Sequence, residues 1–394
     1  MPDIDEAKMQ VRRLRVSNYK SLDDDVVVEF DDLTLLVGLN GSGKSNVLDV
    51  FRFLGEALTY GLDPAISKRL GINKLRRAAP FKPRAIKIGV DLEALPWSAS
   101  YDIQINAAAG GTYRVERELL VLGSGADRRT ILEVNSGRVR IAPDGLAPKG
   151  AVAELTLPSL AADPSIAPVI EALRGVRVHS IYPRELGIPQ PIGAAPPLNE
   201  NGSNWCAVLK TLDDGAKSDL VIALERITGD IRDVRVDSSG GFYTAEFEHE
   251  LDSGTRRWFS AAQESDGTLR LAGILTALLQ SPPPPLLAIE EPELTINPGL
   301  LPLLHDYLRA TSLECQVVVT THSPDLLDLV DTSEVRAVQR IGGATQVGRV
   351  AEFQVSAVRD SLMSLGGLLR TGGVRLDGLE ANLFDDVLEE MGDA

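Results

Sequence analysis

The chain has few cysteines, no long apolar run and a deficit of positive charge. Only Cys206 and Cys315 occur among its 394 residues, which argues against a disulfide framework and against a cysteine-based zinc site. No apolar run approaches the ~18 residues that a transmembrane helix requires. The acidic residues 1–6 lack the basic-then-apolar layout of a signal peptide. These absences predict a reduced, cytoplasmic protein with no membrane partner.

The charge deficit is large but uneven. The chain has 40 Lys and Arg against 56 Asp and Glu, a formal net charge of -16, which argues against a protein that coats nucleic acid non-specifically. Segment 68–87 reverses this balance with eight basic residues and no acid: Lys68, Arg69, Lys74, Arg76, Arg77, Lys82, Arg84 and Lys87. It is a candidate contact for DNA, for an acidic partner or for a nucleotide, and the alternative is an ordinary solvated loop.

The C-terminal residues 377–394 have the opposite bias, with seven acids and no base. Six apolar residues of this stretch fall on one helical face: Leu379, Leu383, Phe384, Val387, Leu388 and Met391. Such a face either packs on its own domain or docks on a partner protein.

The order of predicted elements indicates an α/β protein. Short strands are predicted at 11–16, 26–30 and 33–37, and residues 85–141 have the pattern of antiparallel hairpins. After residue 282, strands and helices alternate, which is typical of a mainly parallel sheet flanked by helices.

The middle of the chain is predicted to form a separate lobe. Residues 61–84 read as a loop, a strand is predicted at 176–181, and residues 204–227 have helical patterns. We therefore expect one lobe from residues 1–142 and 282–394, carrying an antiparallel β subdomain, and a second, partly helical lobe at 143–281.

Residues 38–45, Gly-Leu-Asn-Gly-Ser-Gly-Lys-Ser, match the phosphate-loop pattern between a predicted strand and a predicted helix. Glycines let backbone N–H groups surround a phosphate chain, and the helix N-terminus adds positive potential. Lys44 is expected to reach the β- and γ-phosphates and Ser45 to bind Mg²⁺. The residues expected to hold the nucleotide are Asn40, Gly41, Ser42, Gly43, Lys44, Ser45 and Asn46. The match makes the first lobe a nucleotide-binding lobe.

Two carboxylates and a histidine follow buried-type strands in the last third. The strand 286–289 ends at Glu290 and Glu291, and we expect Glu290 to hold Mg²⁺ and Glu291 to act as the base for the attacking water. His322 follows the next strand and is expected to hydrogen-bond the γ-phosphate. The alternative for the acidic pair is a solvated junction between strand and loop.

A capped helix precedes the acidic strand by about 20 residues. Ser265 or Asp266 is expected to cap it, and Gly267 allows a ligand to approach the backbone. An ordinary helix cap is the alternative interpretation.

Together these motifs resemble the RecF/SMC/OLD group of ABC-type ATPases, and more closely the compact AAA-family, RecF-like ATPases. The matching pieces are residues 18–21, 38–46, 265–270, 290–293 and 320–324. The resemblance implies a P-loop NTPase of ABC-ATPase head type, with a mixed sheet and a helical lobe carrying the signature. It places Lys20 near the nucleotide, Ser265 and Gly267 on the partner's γ-phosphate, and makes His322 the switch histidine.

The sequence also departs from that group. The signature is Ser-Asp-Gly rather than Ser-Gly-Gly, and residues 294–298 are the only candidate D-loop. Gln104, the glutamine considered for the Q-loop, lies in a strand pattern and is a poor candidate. We expect neither a long coiled coil nor an acidic TOPRIM-like domain.

The resemblance implies an ATPase that dimerises head to tail around two ATP-Mg²⁺ and serves DNA repair, recombination or phage defence. The alternative is a slow ATP-dependent switch or scaffold that regulates a companion effector protein without acting on DNA. A GTPase is disfavoured because no N-K-x-D guanine-reading motif occurs.

Overall fold

The computed structural model describes residues 9–78, 85–144, 150, 152–193 and 196–378. Its first part contains β1 (Gln10–Ser17), β2 (Val26–Glu29), β3 (Leu33–Val37), α1 (Lys44–Tyr60), α2 (Leu62–Ser67), α3 (Ile72–Leu75), β4 (Ala85–Ala94), β5 (Trp97–Ala107), β6 (Tyr113–Ser124), β7 (Arg129–Asn135) and β8 (Arg138–Ile141).

The middle part contains α4 (Ala167–Gly175), β9 (Arg177–His179), α5 (Pro183–Gly187), β10 (Gln190–Pro191), α6 (Trp205–Leu209), α7 (Asp214–Thr228), β11 (Ile231–Ser239), β12 (Phe242–Glu250), β13 (Arg256–Ser260) and α8 (Asp266–Leu278). The last part contains β14 (Leu286–Glu290), α9 (Leu301–Ser312), β15 (Gln316–Thr321), α10 (Pro324–Leu327), β16 (Val335–Ile341), β17 (Ala344–Arg349), α11 (Glu352–Arg359) and α12 (Leu365–Thr371).

A six-stranded sheet, ordered β17-β16-β3-β15-β14-β9, forms the centre of the molecule. Strands β16, β3, β15, β14 and β9 are parallel, and only β17 is antiparallel to its neighbour. The middle strands are buried apolar runs because helices cover both faces of such a sheet. The predicted mixed sheet assembled from both ends of the chain is confirmed.

The antiparallel β subdomain is confirmed as a seven-stranded sheet, ordered β2-β1-β4-β5-β6-β7-β8. One glutamine joins it to the central sheet: Gln316, at the start of β15, accepts a hydrogen bond from the Val11 N–H at 2.6 Å and donates one to the Val11 carbonyl at 2.8 Å. A third sheet combines β10, β11, β12 and β13, and it packs with α6 and α7.

The predicted loop at 61–84 was wrong in part, because it contains the short helices α2 and α3. Each begins directly after a glycine with positive φ, Gly61 at 96° and Gly71 at 91°, and neither has a side-chain cap. Leu62 and Ile72 are buried, so packing rather than local sequence signals stabilises these turns. The helical patterns predicted at 204–227 correspond to two helices, α6 and α7.

The predicted division of the chain at residue 143 stays a prediction. In the structure, α4 packs on α1 and β9 pairs with β14, so this part of the predicted second lobe contributes to the nucleotide-binding lobe. Lys82, Arg84 and the apolar face at 379–391 lie outside the described residues. No described helix is long and apolar enough to cross a membrane.

Candidate functional site

The predicted phosphate loop connects β3 to α1. β3 ends at Val37 and α1 begins at Lys44, so the loop occupies the intervening turn. Gly41 and Gly43 have φ values of 77° and 107°, which side-chain-bearing residues rarely adopt. The chain therefore has the strand–turn–helix arrangement in which backbone N–H groups at a helix N-terminus receive a phosphate.

The Lys44 ammonium lies inside this turn. Its Nζ donates hydrogen bonds to the carbonyls of Gly38 at 2.7 Å and Leu39 at 3.2 Å, and the residue is buried. Burial lowers the pKa of Lys44 from its ordinary value, and the charges of Glu291 and Glu293 act in the opposite direction. A phosphate that replaced the two neutral carbonyls would give this cation a charged partner.

The remaining loop residues also fit a triphosphate. The Ser42 Oγ is buried and makes no hydrogen bond, which leaves a donor available inside the loop. Asn40, Gly41 and Ser45 are exposed at the mouth of the loop. An exposed Ser45 at the start of α1 is compatible with the predicted contact to Mg²⁺ on the phosphates.

Two residues predicted to bind the nucleotide are engaged with protein groups. The Lys20 Nζ lies 2.5 Å from the Asp49 carboxylate, and the Asn46 amide donates to the Ser21 hydroxyl at 2.6 Å. Burial raises the pKa of Asp49, but Arg69, with smaller contributions from Lys20, outweighs it and lowers the pKa to about 2. Lys20 is therefore part of an ion-pair cluster beside the loop.

Glu290 ends β14, and protein donors surround its carboxylate. Ser180 donates a hydrogen bond to Oε2, and the Arg52 guanidinium lies 3.4 Å from both carboxylate oxygens. Arg52 also contacts Glu200 at 3.0 Å. A carboxylate accepts about four hydrogen bonds in total, so Glu290 retains capacity for a metal-bound water.

Glu291 and His322 lie together at the same edge of the sheet. β14 and β15 are parallel, with Glu290 opposite Thr320, so the residues that follow both strands are neighbours. The Glu291 Oε1 is 3.4 Å from the His322 Nδ1, which is buried and makes no hydrogen bond. Glu291 has a φ of 45°, and its N–H donates to the Thr320 carbonyl at 2.9 Å.

Glu293, which received no role in the sequence analysis, supports this pair. Its Oε1 accepts hydrogen bonds from the Thr321 hydroxyl at 2.6 Å and from the His322 N–H at 3.2 Å. The other oxygen, Oε2, is buried and makes no hydrogen bond. A buried carboxylate in this position ties the loop after β14 to the end of β15.

The predicted signature helix, α8, begins next to the acidic strand end. Ser265 caps it by accepting a hydrogen bond from the Thr268 N–H at 3.1 Å, and Ser265 is exposed. A Cβ on Gly267 would lie 2.6 Å from the Thr295 carbonyl, so this glycine is required by close packing within the chain.

Arg270, one turn further along α8, fixes this arrangement. The buried guanidinium donates to the carbonyls of Ile181 at 2.6 Å, Glu290 at 3.2 Å and Glu291 at 2.9 Å. Three backbone carbonyls from two segments are thus oriented by one side chain. The guanidinium therefore connects the signature helix to the acidic strand end.

Three of the eight basic residues of segment 68–87, Lys68, Arg69 and Arg77, form ion pairs with acids of the same chain. Arg69 is nearly buried between Asp49 and Glu56, and the Lys68 Nζ lies 2.5 Å from the same Glu56. Arg77 pairs with Asp23 at 2.6 Å. These charges support α1 and the first hairpin, which a count of basic residues could not indicate.

Comparison with protein families gives two matches. Residues 9–88 match the family described as "AAA ATPase domain", and residues 169–328 match the family described as "AAA domain, putative AbiEii toxin, Type IV TA system". The first match includes the phosphate loop, and the second includes the start of α8, the acidic strand end and His322. No curated protein matches the chain.

Solved structures of SMC head domains are similar in fold. An SMC head bound to the C-terminal winged-helix domain of ScpA has 14% identity and a TM-score of 0.53 over 86% of this chain and 96% of that one. Heads from Pyrococcus furiosus and Pyrococcus yayanosii, each with a coiled coil, have 11% identity and TM-scores of 0.56 and 0.50 over 90% of this chain and 99% of theirs. Two regions of the chain thus match AAA ATPase-domain families, and the chain has the fold of an SMC head domain.

Proposed function

We propose that the chain binds ATP with Mg²⁺ at the phosphate loop and hydrolyses it. The observation that carries this proposal is the Glu291–His322 pair, whose side chains lie 3.4 Å apart at the ends of adjacent parallel strands. The negative charge of Glu291 also acts to raise the pKa of Lys44 in the phosphate loop. Ligands and reacting groups collect at this edge of open α/β sheets.

In this proposal each residue has a separate task. Lys44 and the N–H groups of residues 41–45 bind the phosphates, while Ser45 and Glu290 hold Mg²⁺ directly or through water. The Mg²⁺ ion, when bound, neutralises charge on the phosphates. Glu291 accepts a proton from the attacking water, and His322, next to it, orients that water or donates to the γ-phosphate.

We further propose that two copies close head to tail over two nucleotides. Ser265 and Asp266 at the N-terminus of α8 are exposed, and a helix N-terminus has a positive dipole end that suits a phosphate held by another copy. Arg270 connects this terminus to the chain's own acidic strand end. Closure by a partner would therefore be transmitted to Glu291 through one side chain.

Glu291→Gln is the decisive variant. Its amide cannot take the proton, so ATP turnover should fall at least a hundredfold, the low end for a lost general base, while ATP binding persists. The ATP-bound variant should elute as a dimer in size-exclusion chromatography with light scattering. Glu352→Gln, at an exposed position in α11, is the matched control and should behave as wild type. A monomeric Glu291→Gln chain with saturating ATP would refute the dimer, and unchanged turnover would refute the base.

The process that hydrolysis serves has two candidates. The first is DNA repair, recombination or phage defence through DNA. The second is an ATP-dependent switch for a companion protein, and two observations favour it. Lys68, Arg69 and Arg77 of segment 68–87 are paired with acids of the same chain, and one matching family description names a toxin–antitoxin system. ATPase rates with and without duplex DNA distinguish them, because a DNA-directed enzyme should be stimulated.

A further inference from the structure

The hairpin formed by β16 and β17 reaches the phosphate loop through one threonine. Thr345, near the start of β17, is fully buried, and its hydroxyl donates a hydrogen bond to the Ser42 carbonyl at 2.7 Å. The same oxygen lies 2.7 Å from the Ser21 Oγ. Three segments that are distant in sequence thus meet at one hydroxyl group.

The hydrogen bonds around Thr345 form a one-way chain. A hydroxyl has a single hydrogen, and because Thr345 gives its hydrogen to Ser42, Ser21 must donate to Thr345. Ser21 in turn accepts from the Asn46 amide at 2.6 Å. Hydrogen bonds thus run in one direction, from the Asn46 amide to the Ser21 hydroxyl, from there to the Thr345 hydroxyl, and from there to the Ser42 carbonyl. We call these four groups the loop relay.

The backbone of Thr345 is fixed as well. Its N–H donates to the Ser21 carbonyl at 2.7 Å, and its carbonyl accepts from the Asp23 N–H at 3.2 Å. The side chain fills the space beside Gly43, where a Cβ would lie only 2.2 Å from the threonine Oγ1. The close approach of Gly43 to Thr345, together with its φ of 107°, requires glycine at this position even before a ligand binds.

We propose that Thr345 is a positioning residue for nucleotide binding. The peptide between Ser42 and Gly43 is planar and trans, so its carbonyl and its N–H point in opposite directions. By holding the Ser42 carbonyl outward, the loop relay turns the Gly43 N–H into the loop, where a phosphate would sit. The relay thus arranges a donor before the ligand arrives. This inference rests on the proposed binding of ATP.

The test compares Thr345→Val with Thr345→Ser in the full chain. Valine keeps the shape and removes the hydroxyl, whereas serine keeps the hydroxyl. Isothermal titration calorimetry with ATPγS should give a dissociation constant about tenfold higher for Thr345→Val, the equivalent of one lost hydrogen bond of about 1.4 kcal/mol. Thr345→Ser should bind within about twofold of wild type, since the relay is retained.

Thr34→Val is the matched control, because Thr34 is also fully buried and its hydroxyl accepts a hydrogen bond from the Asp31 N–H at 3.0 Å, away from the loop. It should lower the melting temperature without changing ATPγS affinity. If Thr345→Val does not fold, Ser21→Ala breaks the same relay and should weaken binding similarly. If Thr345→Val or Ser21→Ala binds ATPγS with wild-type affinity, the proposed role of the loop relay is wrong, while the proposed binding of ATP stands. A wild-type chain that does not bind ATPγS overturns the proposed function and the relay with it.

Discussion

The Arg52 guanidinium faces the Glu290 carboxylate, with a nitrogen 3.4 Å from each of its oxygens. Arg52 lies two turns after Lys44 on α1, so the helix that begins at the phosphate loop also holds the acid expected to contact Mg²⁺. Arg52 and Ser180 both donate hydrogen bonds to this carboxylate.

Arg52→Met should lower the Mg²⁺ concentration that hydrolysis requires, and it should slow hydrolysis at saturating Mg²⁺. Removing the cation leaves Glu290 with an uncompensated charge that attracts the metal more strongly, while the carboxylate loses one of its two supports. We expect half-maximal activity at several-fold lower Mg²⁺ and a turnover reduced about tenfold. Arg226→Met, at an exposed position on α7, is the control. An unchanged Mg²⁺ titration would contradict the role of Arg52.

Arg270→Met should destabilise the chain and lower its ATPase activity together. The variant leaves the carbonyls of Ile181, Glu290 and Glu291 without their buried donor. Hydrogen bonds to a charged group contribute about 1.5–3 kcal/mol each, so we expect the free energy of unfolding to fall by about 3 kcal/mol. Urea denaturation measures this loss. A stable Arg270→Met chain with wild-type activity would show that these bonds neither support the fold nor orient the strand end.

Charge reversal within segment 68–87 should separate structural cations from candidate DNA contacts. Arg69→Glu places a third acid beside Asp49 and Glu56, and breaking a buried pair costs about 3–5 kcal/mol. Lys74→Glu, at an exposed position on α3, should change the free energy of unfolding by less than about 0.5 kcal/mol. Urea denaturation of both variants tests the ranking.

Lys74→Glu is therefore the variant with which to test DNA binding. If the segment contacts DNA, its affinity should fall and the dependence of binding on salt should become shallower. If Lys74→Glu binds a DNA duplex as wild type does, this part of the segment makes no contact, and a protein partner becomes the better candidate.

Two histidines should give opposite pH dependences of stability. Burial, together with the charges of Arg177 and Arg52, lowers the pKa of His179 to about 4. The unfolded chain therefore binds a proton that the folded chain refuses, and stability falls as the pH drops from 6.5 towards 4. The loss amounts to about 3 kcal/mol. His179→Asn should remove it, as urea denaturation at several pH values would measure.

His249 is the contrasting case. Burial acts to lower its pKa, but Asp230 and Glu264, each 2.9 Å from a ring nitrogen, outweigh burial and raise it. Its stabilisation is therefore present below pH 6.5 and is lost as the pH rises through the folded-state pKa. His249→Asn should lose stability at pH 6 and little at alkaline pH. If both substitutions changed the pH dependence of the free energy of unfolding in the same direction, these assignments would be contradicted.

Local motifs made the centre of the fold predictable. β3, the phosphate loop and α1 are contiguous, and the acidic strand end and His322 each follow a buried strand, so sequence alone indicates that they share one sheet edge. The head-type fold followed from the order of these motifs, and the comparisons confirm it.

The supporting residues were not predictable because long-range pairing assembles them. Ser180 is 110 residues from Glu290, Arg52 is 238 residues from it, and Thr345 is 303 residues from Ser42. A serine, an arginine and a threonine in unremarkable contexts carry no local signal. Likewise, α2 and α3 are too short for their apolar spacing to indicate helices.

The order of strands in the central sheet has a consequence for synthesis. β3 lies between β15 and β16, both of which come from the last third of the chain. While the ribosome translates the middle of the protein, both edges of this apolar strand lack their native neighbours. The nascent polypeptide therefore exposes both edges of this apolar strand until β15 and β16 have emerged, and chaperone protection is most valuable during that interval.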